Sequence, residues 1–221
     1  MKQGIIVSLL FIFTSCASEQ TIEESTTPEY IPLPYIGTHD IGFDNSKDSN
    51  KPDTIYHIVP NFVLMNQDSQ LVTNELVKGK IHIANFFFTS CPAICPAMIE
   101  QMKRLQEMTN DIKELLILSH TIDPDRDSIP KLRSYIDKRK IDTHNWHFLY
   151  GEREYVHELG KEGYMVNAME DKEAEGGFLH SEHFVLIDRQ GHIRGLYVGT
   201  DTEEVNQLNE DIRKLIKYEY N

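Results

Sequence analysis

The sequence predicts an α/β domain with a central mixed β-sheet flanked by helices. Two long apolar runs, residues 81–88 and 114–121, have the composition of strands that are buried on both faces of a sheet. Each run is followed by a stretch in which apolar residues recur at helical spacing. Pairs of shorter strand-like segments lie before and after this unit. The order of a hairpin, alternating strands and helices, a second hairpin and a last helix favours a thioredoxin-like fold.

The first half of the domain is predicted to contain three strands and one helix. Residues 58–65 and 70–73 flank a short polar turn, which predicts a hairpin. Residues 81–88 read IHIANFFF and form the strongest predicted strand. Residues 92–108 have one apolar helical face, which we interpret as core packing. This face consists of Met98, Met102, Leu105 and Met108.

The second half continues the alternation of strands and helices. Each predicted strand is short and apolar, and each predicted helix has an apolar face. The sequence RQG at residues 189–191 is typical of a hairpin turn between the last two strands. The predicted strands are 114–121, 146–150, 183–188 and 193–198, and the predicted helices are 128–140, 153–161 and 203–217.

Length and charge narrow the class of protein. A chain of 221 residues with 40% hydrophobic residues suits one globular domain with appendages. Its 22 basic and 35 acidic residues give a net charge of −13, which argues against nucleic acid as a partner, because phosphate binding needs clustered Lys and Arg. Three cysteines are an odd number, so a fold stapled by disulfides is not expected.

The N-terminus has the organisation of an export signal. A short basic start precedes an apolar run at residues 4–13, about half the length of a membrane-spanning helix. The run ends in the sequence FTSC, which is similar to a bacterial lipobox, although Phe13 replaces the usual leucine. We therefore predict that Cys16 is lipidated. Ordinary signal cleavage near Cys16 and an uncleaved anchor remain as alternatives.

This interpretation divides the chain into three segments. We assign residues 1–16 to a lipoprotein signal peptide, residues 17–54 to a flexible tether and residues 55–221 to the thioredoxin-like domain. The tether assignment follows from its Ser, Thr, Pro, Asp and Asn content. Its inner part, residues 30–43, is less polar and is a candidate for docking on the domain.

The other two cysteines, Cys91 and Cys95, stand at the predicted junction between a buried strand and a helix. Residues four apart lie about one helical turn apart on one face, so both sulfur atoms can contact one ion. The unpaired N–H groups at a helix N-terminus favour thiolates over thiols. The pair therefore suits either metal binding or thiol–disulfide chemistry.

The spacing and the donor type favour copper. Dithiol–disulfide exchange usually uses two intervening residues, whereas Cys91 and Cys95 enclose three, a looser loop that is suited to an ion. Soft thiolates select Cu(I) or zinc, and no fourth residue has the spacing of a structural zinc ligand. On the cysteine spacing alone, a plain disulfide between the two remains an alternative.

Four blocks of sequence within residues 57–218 place these features in a fixed order. They read NFVLMNQDSQLVTNELVKGKIHIANFFFTSCPAICPAM, LSHTIDPDRDSIPKLRSYI, NWHFLYG and FLHSEHFVLIDRQGHIRGLYVGTD. In order, spacing and cysteine motif the chain resembles the Sco/SenC family of copper-binding assembly factors for cytochrome c oxidase. It departs from the family in one turn, where DSQ at residues 68–70 replaces the common Asp-Gly, and no predicted site lies there.

The resemblance implies a ligand set. Cys91, Cys95 and His180 match the family's ligands for one copper ion per chain, as Cu(I), Cu(II) or both. His183 is the competing histidine, and the odd spacing of the two residues in a strand would place their side chains on opposite faces. Residues 123–127 match the family's DPxRD segment. They would either orient His180 or a partner, or cap the helix that follows.

The resemblance also implies a function. The chain would be a metallochaperone rather than a turnover enzyme, and it would deliver copper to the dinuclear centre of the copper-accepting subunit of cytochrome c oxidase. The alternative is a thiol–disulfide oxidoreductase that reduces the oxidase's copper-ligand cysteines through Cys91 and Cys95. An upstream copper donor or a thioredoxin-like reductant would be further partners. With Cys16 lipidated, the domain would be exported and anchored to a bacterial membrane, facing the periplasm or the cell exterior.

Overall fold

The structure, a computed structural model, describes residues 30–43, 52–92, 94–171, 173 and 177–220. Five of these residues are described by their backbone only: Phe43, Pro52, Asp53, Leu179 and His180. The predicted signal peptide, Cys16 and the outer part of the tether lie outside the described residues. All contacts given below lie within the compact unit Pro32–Asn221. In the part of the chain that the structure describes, no helix is both long and apolar enough to cross a membrane.

Strands and helices alternate along the described residues much as the sequence predicts. The strands are β1 (His39–Phe43), β2 (Pro52–Tyr56), β3 (Val63–Asn66), β4 (Leu71–Thr73), β5 (His82–Phe87), β6 (Leu116–Thr121), β7 (Trp146–Tyr150), β8 (Ala168–Glu170), β9 (Phe178–His180), β10 (His183–Ile187) and β11 (Ile193–Val198). The helices are α1 (Asn74–Val77), α2 (Cys95–Met108), α3 (Ile129–Arg139), α4 (Arg153–Glu158) and α5 (Thr202–Lys214). π-Helical turns at Leu159–Gly163 and Leu215–Glu219 extend α4 and α5.

Seven strands form one mixed sheet with the order β11-β10-β5-β6-β7-β3-β4. Strands β5, β6 and β7 are parallel to one another, and the other neighbours in this sheet are antiparallel. The predicted class, a mixed sheet with flanking helices, is confirmed. At the carboxyl ends of β5 and β6, Phe87 pairs with Thr121. The loops that follow these two strands therefore meet at one edge of the sheet.

Strands β5 and β6 form the centre of the core, and every residue of both is buried. Two polar side chains among them, Asn85 and Ser119, are partnered across the sheet. Trp146 donates from Nε1 to the Ser119 hydroxyl at 2.8 Å, and Ser119 donates to Asn85 Oδ1 at 2.6 Å. A buried polar group without a partner costs about 1–3 kcal/mol, so these bonds stabilise the three parallel strands.

The helix after the cysteine loop begins later than the sequence predicts, at Cys95 rather than at residue 92. A proline disfavours helical backbone in the residue before it, so Cys91, which precedes Pro92, does not enter the helix. Pro96 is tolerated in the first turn because an N–H there has no helical partner. The expectation that both cysteines lie on one helical face is therefore wrong. One precedes the helix and the other opens it.

The inner part of the predicted tether contacts the domain. The Ile36 N–H donates to the Ile193 carbonyl at 2.8 Å. Buried Arg194 donates to two carbonyls of the same segment, those of Leu33 and Pro34, at 2.7 and 3.1 Å. Further along the chain, β1 and β2 form a two-stranded antiparallel sheet that the sequence pattern does not reveal.

Candidate metal centre

The predicted cysteine pair lies in the loop between β5 and α2, at the carboxyl edge of the parallel strands. The Cys91 N–H donates to the Phe88 carbonyl at 3.2 Å, and Cys95 is the first residue of α2. Cys91 is 9% exposed and Cys95 is 1% exposed. The two cysteines are not joined in a disulfide. The structure thus holds two reduced sulfur donors together with little access to solvent.

A buried carboxylate fixes the start of the cysteine loop. Asp127 is 0% exposed and accepts the Thr89 N–H at 2.8 Å and the Thr121 hydroxyl at 2.6 Å. It also accepts the hydroxyl of Thr89. Hydrogen bonds to an ionised acceptor are the stronger kind. Because Thr89 stands two residues before Cys91, Asp127 ties the cysteine loop to the loop that follows β6.

The predicted acidic loop, residues 123–127, does not cap α3. Ser128, at the N-cap position of α3, makes no capping hydrogen bond with its side chain, and the Asp127 carboxylate is used in the contacts just described. Asp123 pairs with Arg126, and the Asp127 N–H closes the loop on the Asp123 carbonyl at 2.9 Å. Burial raises the pKa of the Asp123 carboxyl, and the Arg126 charge opposes that shift. The helix-cap interpretation is therefore wrong. The loop at residues 123–127 instead orients the cysteine loop.

The protein environment keeps the Cys95 thiol protonated. Its pKa is raised far above the ordinary value, chiefly by a hydrogen bond with the Cys91 thiol and next by burial. The positive charge of Arg139 acts in the opposite direction but is weaker. The expected preference of a helix N-terminus for thiolates is therefore outweighed here. Metal binding at this pair must release a proton, because thiolate is the binding form.

The predicted histidine ligand lies on a separate element. His180 ends β9, and its backbone pairs with Ala168 of β8. Its side chain is not among those described, so its role as a ligand stays a prediction. The competing residue, His183, opens β10, and its Nδ1 lies 2.6 Å from the Ser181 hydroxyl. This contact engages one of the two ring nitrogens of His183.

Two residues before His180, Phe178 attaches the β8–β9 hairpin to the cysteine side of the domain. Its buried ring lies 5.4 Å from the Phe88 ring, measured between centroids. The guanidinium carbons of Arg126 and Arg153 lie 5.2 and 5.8 Å from the centre of the same ring. Contacts of each kind contribute about 0.5–1.5 kcal/mol. The hairpin is thus held against the loops that follow β5 and β6.

Among the described side chains, no three of His, Cys, Asp and Glu are grouped closely enough to hold a metal ion. Of the three predicted ligands, the structure describes the side chains of Cys91 and Cys95 but not that of His180. Of the other histidines, His157 contacts the Ile122 carbonyl at 2.8 Å and His57 contacts the Gly163 carbonyl at 2.7 Å. Both of these contacts are structural.

Sequence reasoning missed three side chains around the cysteine pair. Thr89 could have been found, because it stands beside the motif and ends an apolar strand. Tyr135 and Arg139 have no such signal, since they reach the pair from α3. Burial chiefly raises the pKa of the Tyr135 hydroxyl, with a further contribution from its closeness to Cys91 and Cys95, and the positive charge of Arg139 lowers the pKa of Cys95.

The fold and the site together define a class of protein. A thioredoxin-like mixed sheet carries a reduced cysteine pair at the carboxyl end of a central strand, where the next helix begins. Such a pair can bind a soft metal ion or exchange electrons with a disulfide. The family model described as SCO1/SenC matches residues 50–217. The chain belongs to the SCO1/SenC family, as its four sequence blocks predict.

Two solved structures and one further relative are similar to this chain over most of its length. The crystal structure of a SCO1/SenC family lipoprotein from Bacillus anthracis is 30% identical, with a TM-score of 0.67, and the match covers 73% of this chain and 96% of that one. A structure of BsSco, described with a disulfide switch and as a member of the Sco family of cytochrome c oxidase assembly proteins, is 26% identical, with a TM-score of 0.65, over 73% of this chain and 95% of that one. A Stutzerimonas stutzeri protein, named as a proposed copper-binding protein, is 30% identical over 62% of this chain and 67% of its own.

Proposed function

We propose that this chain is a copper chaperone, which carries one copper ion at Cys91, Cys95 and His180 and delivers it to the dinuclear copper centre of cytochrome c oxidase. One observation carries the proposal: the reduced cysteines lie together in a loop fixed by Asp127, in a chain of the SCO1/SenC family. The names of two relatives support it, since one refers to copper binding and the other to cytochrome c oxidase assembly.

The donor set suits copper that is carried rather than permanently held. Two thiolates bind Cu(I), and an imidazole as third donor accommodates Cu(I) or Cu(II). A structural zinc site would be closed by four protein ligands, whereas three ligands leave a position open to the incoming ligand of a partner. The partner's own cysteines are the expected incoming ligands. The low exposure of Cys91 and Cys95 limits loss of the ion to solvent.

The cysteine pair is also compatible with a second function, the reduction of the oxidase's copper-ligand cysteines. Cys91 and Cys95 would be oxidised to one disulfide, and a disulfide of the partner would be reduced to two thiols. Two electrons and two protons pass from this chain to the partner in that exchange. The BsSco relative is described with a disulfide switch, which supports the alternative.

The test of metal carriage is an anaerobic titration of the reduced protein with Cu(I), monitored with a competing chelator of known affinity. We expect one equivalent to bind tightly. His180→Ala should weaken binding by at least tenfold, and the double variant Cys91→Ser/Cys95→Ser should abolish it. His183→Ala is the matched control and should bind copper like the wild type.

A parallel assay separates the two functions. The variants are mixed with a peptide that contains a disulfide, and thiol release is followed. Disulfide exchange needs the two cysteines only, so it should survive His180→Ala. Stoichiometric copper binding that is indifferent to His180 would contradict the proposed ligand set, and absence of binding would leave the reductase as the working function.

We also propose that residue Cys16 carries the lipid that anchors the domain to the outer side of a bacterial membrane, with residues 1–16 as the lipoprotein signal segment, cleaved before Cys16, and residues 17–54 as the tether. A lipoprotein relative supports this proposal. Two acyl chains insert by hydrophobic burial and hold a protein at a bilayer stably. In labelling with an alkyne fatty acid, the wild type should acquire label and fractionate with membranes, whereas Cys16→Ser should do neither. Equal labelling of both would overturn the assignment.

A further inference from the structure

A basic cavity of about 420 Å³ lies beside the cysteine pair. Three of the residues that line it are cations, and the other three carry a hydroxyl. They are Lys131, Lys138, Arg139, Thr89, Ser134 and Tyr135. No carboxylate contributes to the lining. We call this feature the basic cavity.

The three cations of the basic cavity form no ion pair with a carboxylate in the described part of the chain. Two arginines elsewhere do have carboxylate partners, since Arg126 pairs with Asp123 and Arg213 pairs with Asp111. The Asp127 carboxylate is bonded to Thr89 of the lining and forms no ion pair with the three cations, so their charges are available to a ligand that comes from outside.

The walls of the basic cavity are ordered before any ligand arrives. The Arg139 guanidinium lies 4.7 Å over the centre of the Tyr135 ring, which restricts its orientation. Tyr135 is only 7% exposed, and its hydroxyl makes no hydrogen bond with a described residue. Burial raises the pKa of this hydroxyl, so it stays a donor. A site with oriented groups loses less entropy when it binds.

The basic cavity is continuous with the cysteine loop. Thr89 lines it and stands two residues before Cys91, in the position that Asp127 fixes. The charge of Arg139 reaches the Cys95 thiol. A molecule held in the cavity therefore lies next to the two cysteines, where a partner must come to exchange an ion.

We propose that the basic cavity docks an acidic segment of the protein that exchanges copper with Cys91 and Cys95. This inference rests on the proposed function and names the chemistry of its partner. The cations fit a peptide better than one small anion, because Lys131 and Lys138 are seven residues apart, about 10 Å along α3. Several carboxylates spaced along one chain reach both ends of that distance, whereas a single phosphate does not.

The test uses a fluorescent hexaglutamate peptide and the reduced full-length protein without copper, at low salt. We expect saturable binding, read from fluorescence anisotropy, that weakens as salt is added. The triple variant Lys131→Gln/Lys138→Gln/Arg139→Gln should bind about tenfold more weakly, because it removes the three charges that attract the peptide. The matched control Lys78→Gln/Lys161→Gln/Lys217→Gln changes the net charge equally and should bind within twofold of the wild type.

Three outcomes overturn the proposal. The first is equal loss of peptide binding in both triple variants, which would show only a general charge effect. The second is no peptide binding by the wild type, and the third is binding of inorganic phosphate as tight as that of the peptide, which would make the cavity a small-anion site. Copper titration of the double variant Lys131→Gln/Lys138→Gln, which keeps Arg139 beside Cys95, separates the two proposals, because removal of these two cations should leave the one-equivalent binding in place.

Discussion

The two halves of the proposed metal site are built in different ways. The cysteine arm, residues 88–95, extends from a strand of the seven-stranded sheet and is fixed by hydrogen bonds to buried Asp127. The histidine arm, β8 and β9, is a separate two-stranded sheet with three residues in each strand, and the ring of Phe178 holds it in place. Hydrogen bonds fix direction, whereas ring contacts tolerate small shifts. The fold therefore positions the cysteines, and the histidine can adjust to them.

The largest expected effect comes from removing the support of the cysteine arm. Asp127→Ala leaves two threonine hydroxyls and the Thr89 N–H without their acceptor, and each buried unpaired group costs about 1–3 kcal/mol. We expect the free energy of unfolding, measured by urea denaturation, to fall by about 3 kcal/mol or more. Copper affinity should fall with it, because the loop that carries Cys91 loses its anchor.

The matched control is Asp125→Ala in the same loop. Asp125 is 74% exposed at its side chain and pairs with Arg153 at the surface, so its loss should cost under about 1 kcal/mol. If the two variants were equally stable and bound copper equally well, the view that Asp127 fixes the cysteine arm would be wrong.

The sequence predicts the cysteine arm far better than the histidine arm. Residues 81–88 and 114–121 are rich in apolar residues because both faces of their strands are buried, and that pattern is readable without a structure. The β8–β9 hairpin is not, since residues 168–180 read AMEDKEAEGGFLH, with no alternation of polar and apolar positions. A strand of three residues with few contacts to the domain leaves almost no periodic signal.

In the site, too, features that depend on neighbouring residues could be predicted from the sequence, whereas contacts between distant residues could not. The spacing of Cys91 and Cys95 is visible in the sequence, and so is the DPxRD segment. The contact of Asp127 with Thr89 is not, because it joins residues 38 positions apart through the register of β5 and β6. The start of α2 at Cys95 is also missed, because the prolines of the loop override the helical pattern that follows.

Low pH should destabilise the sheet that supports the cysteine arm. His82 and His120 are buried in β5 and β6, and none of their ring nitrogens has a hydrogen-bond partner in the described residues. Burial lowers the pKa of His82 from 6.5 to about 3 and that of His120 to about 4, and for His82 the charge of His120 adds to the shift. The unfolded chain therefore binds more protons below pH 6.5 than the folded chain does.

Protonation therefore favours the unfolded chain, so the free energy of unfolding falls as the pH falls. Stability is full above pH 6.5 and falls as the pH drops from 6.5 towards 4, by about 2 kcal/mol for each histidine at pH 5. His120→Phe keeps a ring stacked on Phe86, where the centroids lie 4.8 Å apart, and should remove about half of the loss. A profile for His120→Phe identical to that of the wild type would refute this account.

The smallest expected effect distinguishes the histidine arm from the rest of the domain. Phe178→Leu keeps an apolar side chain but loses the contacts with the Phe88 ring and with the guanidinium groups of Arg126 and Arg153, a loss of about 1–2 kcal/mol. Because this ring attaches the hairpin, the amides of β8 and β9 should exchange hydrogen faster by the corresponding factor. The urea midpoint should change much less, since the seven-stranded sheet retains its core.

The same hairpin offers the control for this last measurement. Met169 lies in β8 and is 41% exposed, so Met169→Ala should leave hydrogen exchange close to that of the wild type. If Phe178→Leu instead lowered the global stability as much as the hairpin's local stability, the two arms would unfold together. The histidine would then be positioned by the whole fold, as the cysteines are, and the adjustable arm inferred from the ring contacts would not exist.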